Sequence, residues 1–320
     1  MTHAASSRFE GTFTALVTPF KADESVDWDA FERLVEGQLA GGVSGLVPCG
    51  TTGESPALEK EEQLEVFRRT AKLAKGKALV IAGTGTNATR STIAGVQAAA
   101  RAGVDAVMIV VPYYNRPTQE GLRQHFVAAA AAVDLPVVVY NIPGRTGIDL
   151  SVETLARICE KAPNVVAVKE ATGNVLRAQE IVRTLGSRVS VLSGDDALTL
   201  PMIAIGGRGV ISVTSNIYPA QVAKTTRLAL EGRLEEARKE HLALCAVHDV
   251  MFVEANPGPV KAALAHQGLM TETVRGPLAP ISEASRAKVL AARRAYEASA
   301  APRRAAVAAQ AARRGAAEAS

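Results

Sequence analysis

Aromatic side chains make up only 4% of this 320-residue chain, which holds a single tryptophan. A surface that stacks bases on rings has little to build with. Positive charge is no better placed for nucleic acid. The net charge is +4, and residues 301–320 carry four arginines against one glutamate, so the rest of the chain is close to neutral. Only the tail offers a weak polyanion contact, and no nucleic-acid partner is expected. The three cysteines, Cys49, Cys159 and Cys245, are odd in number, far apart and in no metal-like spacing. That excludes a disulfide framework and fits a reducing compartment, with the cytoplasm as the default. No segment approaches the roughly 18 continuous apolar residues of a membrane span, and Met1 to Glu10 lacks the apolar core of a signal peptide, so a soluble, unprocessed protein is expected.

What is present is a repeated alternation. Eight short β-rich runs recur: 12–17, 44–48, 78–82, 106–111, 136–140, 165–169, 189–193 and 209–213. Helical periodicity fills the gaps, most clearly at Trp28, Phe31, Leu34, Val35 and Leu39, with Asp27 as N-cap and Gly41-Gly42 as terminator. The runs are apolar at consecutive positions, as parallel strands buried on both faces must be. Eight such units predict an α/β protein of the (β/α)8 barrel type. A doubly wound sheet is the alternative, but Gly83-Thr84-Gly85-Thr86-Asn87-Ala88 lacks the third glycine of a dinucleotide fingerprint. The barrel is assigned to residues 1–232. Residues 233–297 read as a C-terminal helical appendage, and the Ala/Arg-rich residues 298–320 as a frayed or disordered tail.

Active sites of such barrels form at the C-terminal strand ends, and there the chemistry collects. The run Val165-Val166-Ala167-Val168 delivers Lys169, and Val137-Val138-Val139 delivers Tyr140 followed by Asn141-Ile142-Pro143-Gly144-Arg145. A lysine that attacks a carbonyl must be neutral, and burial disfavours its ammonium, so this is a position for a Schiff-base amine. Taken alone, the same lysine reads sooner as an ion-pair partner of Glu170 or another carboxylate. Asp195-Asp196 is assigned no role. The five histidines form no two-histidine zinc motif, and His241 and His248 share one helical face.

Four stretches, Gly50-Thr51-Thr52-Gly53-Glu54, Pro112-Tyr113-Tyr114, Tyr140 to Gly147 and Val168 to Asn174, together resemble the dihydrodipicolinate synthase family, and Phe252 to Pro257 extends the likeness. The resemblance spans about residues 10 to 295. It implies a class I aldolase-type condensation of pyruvate with aspartate 4-semialdehyde, on the route to diaminopimelate and lysine, with no metal and no cofactor. It implies Lys169 as imine-forming residue and a proton relay of Tyr140, Thr51 and Tyr114, the last supplied by a neighbouring subunit of a homotetramer. Thr52, Arg145, Ile211 and Gly194 would bind substrate, Arg145 taking the semialdehyde carboxylate because a guanidinium fork matches two oxygens.

In lysine-inhibited relatives a feedback site lies at a subunit interface, and Ser55, Asn87 and Tyr113 match it. Where sensitive enzymes carry histidines and a glutamate, this chain has Lys60, Gln63 and Ser91. Weak or absent lysine inhibition is therefore expected. N-acetylneuraminate lyase and the 2-keto-3-deoxy-sugar-acid aldolases share the lysine and tyrosine, so they are the alternative activities. A keto-acid-binding barrel without catalysis is the alternative of another class.

Overall fold

A computed structural model describes residues 8–299 of the chain. Eight strands close into a parallel barrel in sequence order, each followed by a helix. In chain order these are β1 (Gly11–Ala15), α1 (Trp28–Ala40), β2 (Gly45–Val47), α2 (Lys60–Ala74), β3 (Leu79–Gly83), α3 (Thr89–Arg101), β4 (Ala106–Val110) and α4 (Gln119–Ala131). The second half comprises β5 (Val137–Asn141), α5 (Val152–Lys161), β6 (Val165–Glu170), α6 (Val175–Leu185), β7 (Ser190–Ser193), α7 (Thr199–Ala204), β8 (Gly209–Ser212) and α8 (Pro219–Leu230). Each expected run contains or overlaps one strand, and the (β/α)8 expectation holds.

Two apolar layers explain the consecutive hydrophobic positions. Phe13, Val47, Ile81, Met108, Val138 and Leu192 fill the barrel interior. Their outward neighbours, among them Val80, Val107, Val139, Val168 and Val191, pack under the helices. A fully buried side chain of this size contributes roughly 1.5–3 kcal/mol, so the two layers dominate the fold's stability. The barrel seam depends on glycine: Gly11 and Gly209 are paired across β1 and β8, and a Cβ on Gly209 would lie 2.0 Å from the Gly11 carbonyl oxygen.

Local signals start the helices where the sequence places them. Asp27 accepts from the Ala30 N–H at 3.0 Å and caps α1; Ser151 and Asn174 do the same for α5 and α6. Beyond the barrel lie α9 (Leu234–Val250), α10 (Gly258–His266) and α11 (residues 283–299). The last of these is tied to the barrel by Tyr218, which donates to Glu297 at 2.7 Å, and to α10 by Arg293, which donates to the Ala263 carbonyl at 3.0 Å. The expected tail lies outside the described residues from position 300 onward. No helix among the described residues is long and apolar enough to cross a membrane.

One irregularity decides the chemistry. Val137 pairs with Val165 but Val138 pairs with Ala167, so Val166 is an extra residue on β6. A bulge of this kind shifts the alternation by one position. Val166 and Ala167 both join the interior layer, Val168 turns outward, and Lys169 consequently points into the barrel.

Candidate active site

Lys169 and Tyr140 are register partners at the ends of β6 and β5. The Lys169 amine lies 4.2 Å from the centroid of the Tyr140 ring. Only 6% of Lys169 is exposed, and among the described residues no carboxylate forms an ion pair with it. Burial pulls its pKa down to about 7; Asp196 opposes that drop and Arg145 adds to it. Gly194, after β7, packs against the lysine stem, since a Cβ there would lie 3.1 Å from Lys169 Cε and 2.5 Å from Ala171 Cβ. The ion pair with Glu170 is not formed. Glu170 instead accepts from Arg177 Nε at 3.0 Å and from the Thr172 N–H at 2.8 Å, because adjacent residues of a strand face opposite sides.

Tyr140 is almost wholly buried, and burial raises its pKa, while a hydrogen bond from Thr51 and the charge of Arg145 pull the other way. Thr51 comes from the loop between β2 and α2. Arg145 sits on the helical turn Pro143–Thr146 that follows β5. Thr51, Tyr140 and Arg145 line one cavity of about 440 Å³, together with Ser55, Lys60 and Tyr113. Lys169 is not on that wall; it is covered by the Tyr140 ring. The described lining holds Arg145 and Lys60 and no Asp or Glu, so the cavity favours anions.

The remaining expected residues divide into two groups. Thr52 is buried beside the site, and its hydroxyl accepts from Asn256 Nδ2 at 2.9 Å. Ile211 belongs to the barrel interior at the end of β8. Tyr114, by contrast, is 88% exposed on a left-handed turn (φ 73°) and is not among the described lining residues of the cavity. Ser55 and Tyr113 share the cavity, Asn87 is not among its described lining residues and its carbonyl accepts from Asn115 at 2.8 Å, and Gln63 is committed to the Ser55 carbonyl at 2.9 Å. Asp196 is a structural acceptor for the Val213 and Thr214 N–H groups at 2.9 and 3.1 Å. His241 and His248 are buried with ring centroids 5.8 Å apart, and His248 bonds Thr214.

Sequence reasoning gave Asp196 no role and missed both the bond from Asn256 to Thr52 and the pairing of Glu54 with Lys261. Lys261 did leave a signal: it is the one cation in the otherwise apolar stretch from Pro257 to Leu264.

The chain as a whole has close counterparts. The model of the dihydrodipicolinate synthetase family matches residues 8–295. The 4-hydroxy-tetrahydrodipicolinate synthase of Sorangium cellulosum is 58% identical over 289 residues, covering 90% of this chain and 96% of that protein. The solved 4-hydroxy-tetrahydrodipicolinate synthase of Methylacidiphilum fumariolicum superposes with a TM-score of 0.90 at 44% identity, covering 92% of this chain and 97% of that one. Dihydrodipicolinate synthase from Aquifex aeolicus gives a TM-score of 0.88 at 44% identity, with coverages of 90% and 98%.

Proposed function

This chain belongs to the dihydrodipicolinate synthetase family, and we propose that it condenses pyruvate with L-aspartate 4-semialdehyde through an imine on Lys169. The observation that carries the mechanism is a buried lysine without a carboxylate partner, its amine against the Tyr140 ring. An amine with a pKa near 7 is substantially neutral at physiological pH and free to attack.

The neutral amine adds to the pyruvate ketone carbon, and the carbinolamine loses water to give a cationic imine. Loss of a methyl proton turns the imine into an enamine, whose carbon adds to the aldehyde of the second substrate. The aldehyde oxygen takes up a proton and becomes the 4-hydroxyl group. The substrate's own amino group then attacks the imine carbon, displacing Lys169 and closing a six-membered ring. Every step moves a proton, and the Tyr140 phenol, which shares a cavity wall with Thr51, is the group proposed to carry it. Arg145 takes the carboxylate of the semialdehyde on the cavity wall, and Thr52, Gly194 and Ile211 form the pyruvate pocket.

Tyr114 serves a neighbouring subunit, which accounts for a tyrosine left exposed on this one, and the working form is a homotetramer. The three unpaired cysteines are in keeping with the cytoplasm. Lysine binds weakly or not at all, because the cavity bearing Ser55 and Tyr113 offers its ammonium no carboxylate among the described lining residues. The test is borohydride reduction in the presence of pyruvate, followed by intact mass and peptide mapping, beside a Lys169→Ala control. A pyruvyl adduct on Lys169 is expected. No adduct, or one on another lysine, overturns the assignment. Assays with sialic acid and 2-keto-3-deoxy-sugar acids separate the related aldolases.

A further inference from the structure

The loop that presents Thr51 has two sides. Thr51 lines the cavity that Tyr140 also lines. The opposite side is held by the C-terminal segment at several points. Asn256 bonds the Thr52 hydroxyl at 2.9 Å, Arg275 Nη1 donates to the Ala57 carbonyl at 2.9 Å, and the same guanidinium pairs with Glu62. Between these points lies Glu54, buried and held at φ 54°, a left-handed conformation that residues with a Cβ resist. Its carboxylate meets Lys261 Nζ at 2.5 Å and the Arg275 N–H at 2.9 Å. Lys261 is wholly buried on α10 and also donates to the Thr273 carbonyl at 2.8 Å.

The left-handed turn at Glu54 and the direction of Thr51 are one conformation, because the Glu54 N–H donates to the Thr51 carbonyl at 3.1 Å. Without Lys261 the Glu54 carboxylate is a buried charge that must find water or another donor. Loss of the pair, with one charge removed or both, takes away the contact that anchors the turn to α10, and a released turn takes Thr51 with it.

We infer that Lys261, through its ion pair with Glu54, is a positioning residue for the proton relay, fixing the turn that directs the Thr51 hydroxyl at Tyr140. This rests on the reading of Tyr140 as the relay group. It assigns the helical region beyond the barrel a part in the chemistry, although none of its side chains here touches the reacting atoms.

The experiment is a titration of Tyr140 by NMR with ring-13C-labelled tyrosine, using Tyr140→Phe to assign the signal and Thr51→Val to define the unbonded limit. The test protein is the double variant Glu54→Gln/Lys261→Met, which leaves no bare charge in the interior and keeps an acceptor for the Arg275 N–H. Its Tyr140 midpoint is expected to rise most of the way to the Thr51→Val value, since the Thr51 hydrogen bond is one of the contacts that hold it down. Its kcat is expected to fall between about 10- and 100-fold, with the end-point pyruvate adduct on Lys169 unchanged. A Tyr140 midpoint and kcat at wild-type values, with only Tm lowered, make Lys261 a structural residue and overturn the inference. Failure of the wild-type protein to trap pyruvate sinks the imine reading instead, and the Tyr140 midpoint, which needs no substrate, still decides this one.

Discussion

Two lysines in this molecule are buried to nearly the same depth, Lys169 at 6% exposed and Lys261 at 0%. Each amine lies over an aromatic ring, 4.2 Å from the Tyr140 centroid and 4.1 Å from that of Phe20. Burial pulls both down, Lys169 to about 7 and Lys261 to about 8. The difference lies in their partners. Lys261 has Glu54 at 2.5 Å and a carbonyl at 2.8 Å, so it stays charged at neutral pH and ties two segments together. Lys169 has no carboxylate in contact, and its ring carries a phenol where Phe20 carries nothing. On the proposed reading, burial makes an amine available, and the presence or absence of a paired carboxylate decides whether it reacts or braces.

The sharpest way to break that comparison is to replace each lysine by methionine. Lys169→Met should cut turnover by on the order of 10⁴-fold or more, the scale at which an enzyme loses its covalent nucleophile. Stability should hold or rise, because an unpaired buried amine is exchanged for a thioether of similar length. Steady-state kinetics with a denaturation curve measure both, and residual turnover within a hundredfold of wild type would refute the assignment.

Lys261→Met should do the reverse to stability, lowering it by about 3–5 kcal/mol, because it breaks a buried ion pair by removing one partner. Adding Glu54→Gln should restore most of the loss, and denaturant midpoints for the single and double variants give the answer. A single variant as stable as wild type would mean that the pair braces nothing.

Removing one oxygen tests the two rings. Tyr140→Phe gives Lys169 the kind of ring that Lys261 already has, with packing intact. Turnover should fall by about 10²- to 10³-fold, the usual worth of a positioned proton donor, while the end-point pyruvate adduct persists. A rate within threefold of wild type would remove Tyr140 from the relay.

How much of this difference is written in the sequence depends on the range over which it acts. The strands are legible because parallel strands buried on both sides are continuous apolar runs, and Lys169 and Tyr140 because each closes such a run. The bulge at Val166 is not legible, since an extra residue exists only relative to the register with β5. Strict alternation from Val165 would have turned Lys169 outward, onto the side that Glu170 occupies. The Glu54–Lys261 pair is hidden for a similar reason: its halves belong to a loop near the start of the barrel and a helix beyond its end, and only the closed fold brings them together. Lys261 in an apolar stretch announces a buried cation without naming its partner.

The smallest effect separates the lysines by pH. The folded-state pKa of Lys169, about 7, lies below its ordinary value of 10.5. Between those limits the unfolded chain holds a proton that the folded chain has released, so unfolding takes up a proton and stability rises with pH, by at most about 1.4 kcal/mol per pH unit. Below about pH 7 both states are protonated and the cost of burying the ammonium is fully present. Lys261 has the same sign with a window opening near 8, and it is common to wild type and Lys169→Met, so it cancels in their difference. Denaturation of the two proteins from pH 6 to 10 should therefore show wild type gaining on the variant as pH rises, beginning near 7, where kcat/KM should also climb as the amine deprotonates. A difference that stays flat across that range would mean Lys169 keeps its proton in the folded barrel, and the distinction between a reacting and a bracing lysine would then have to come from Tyr140 alone.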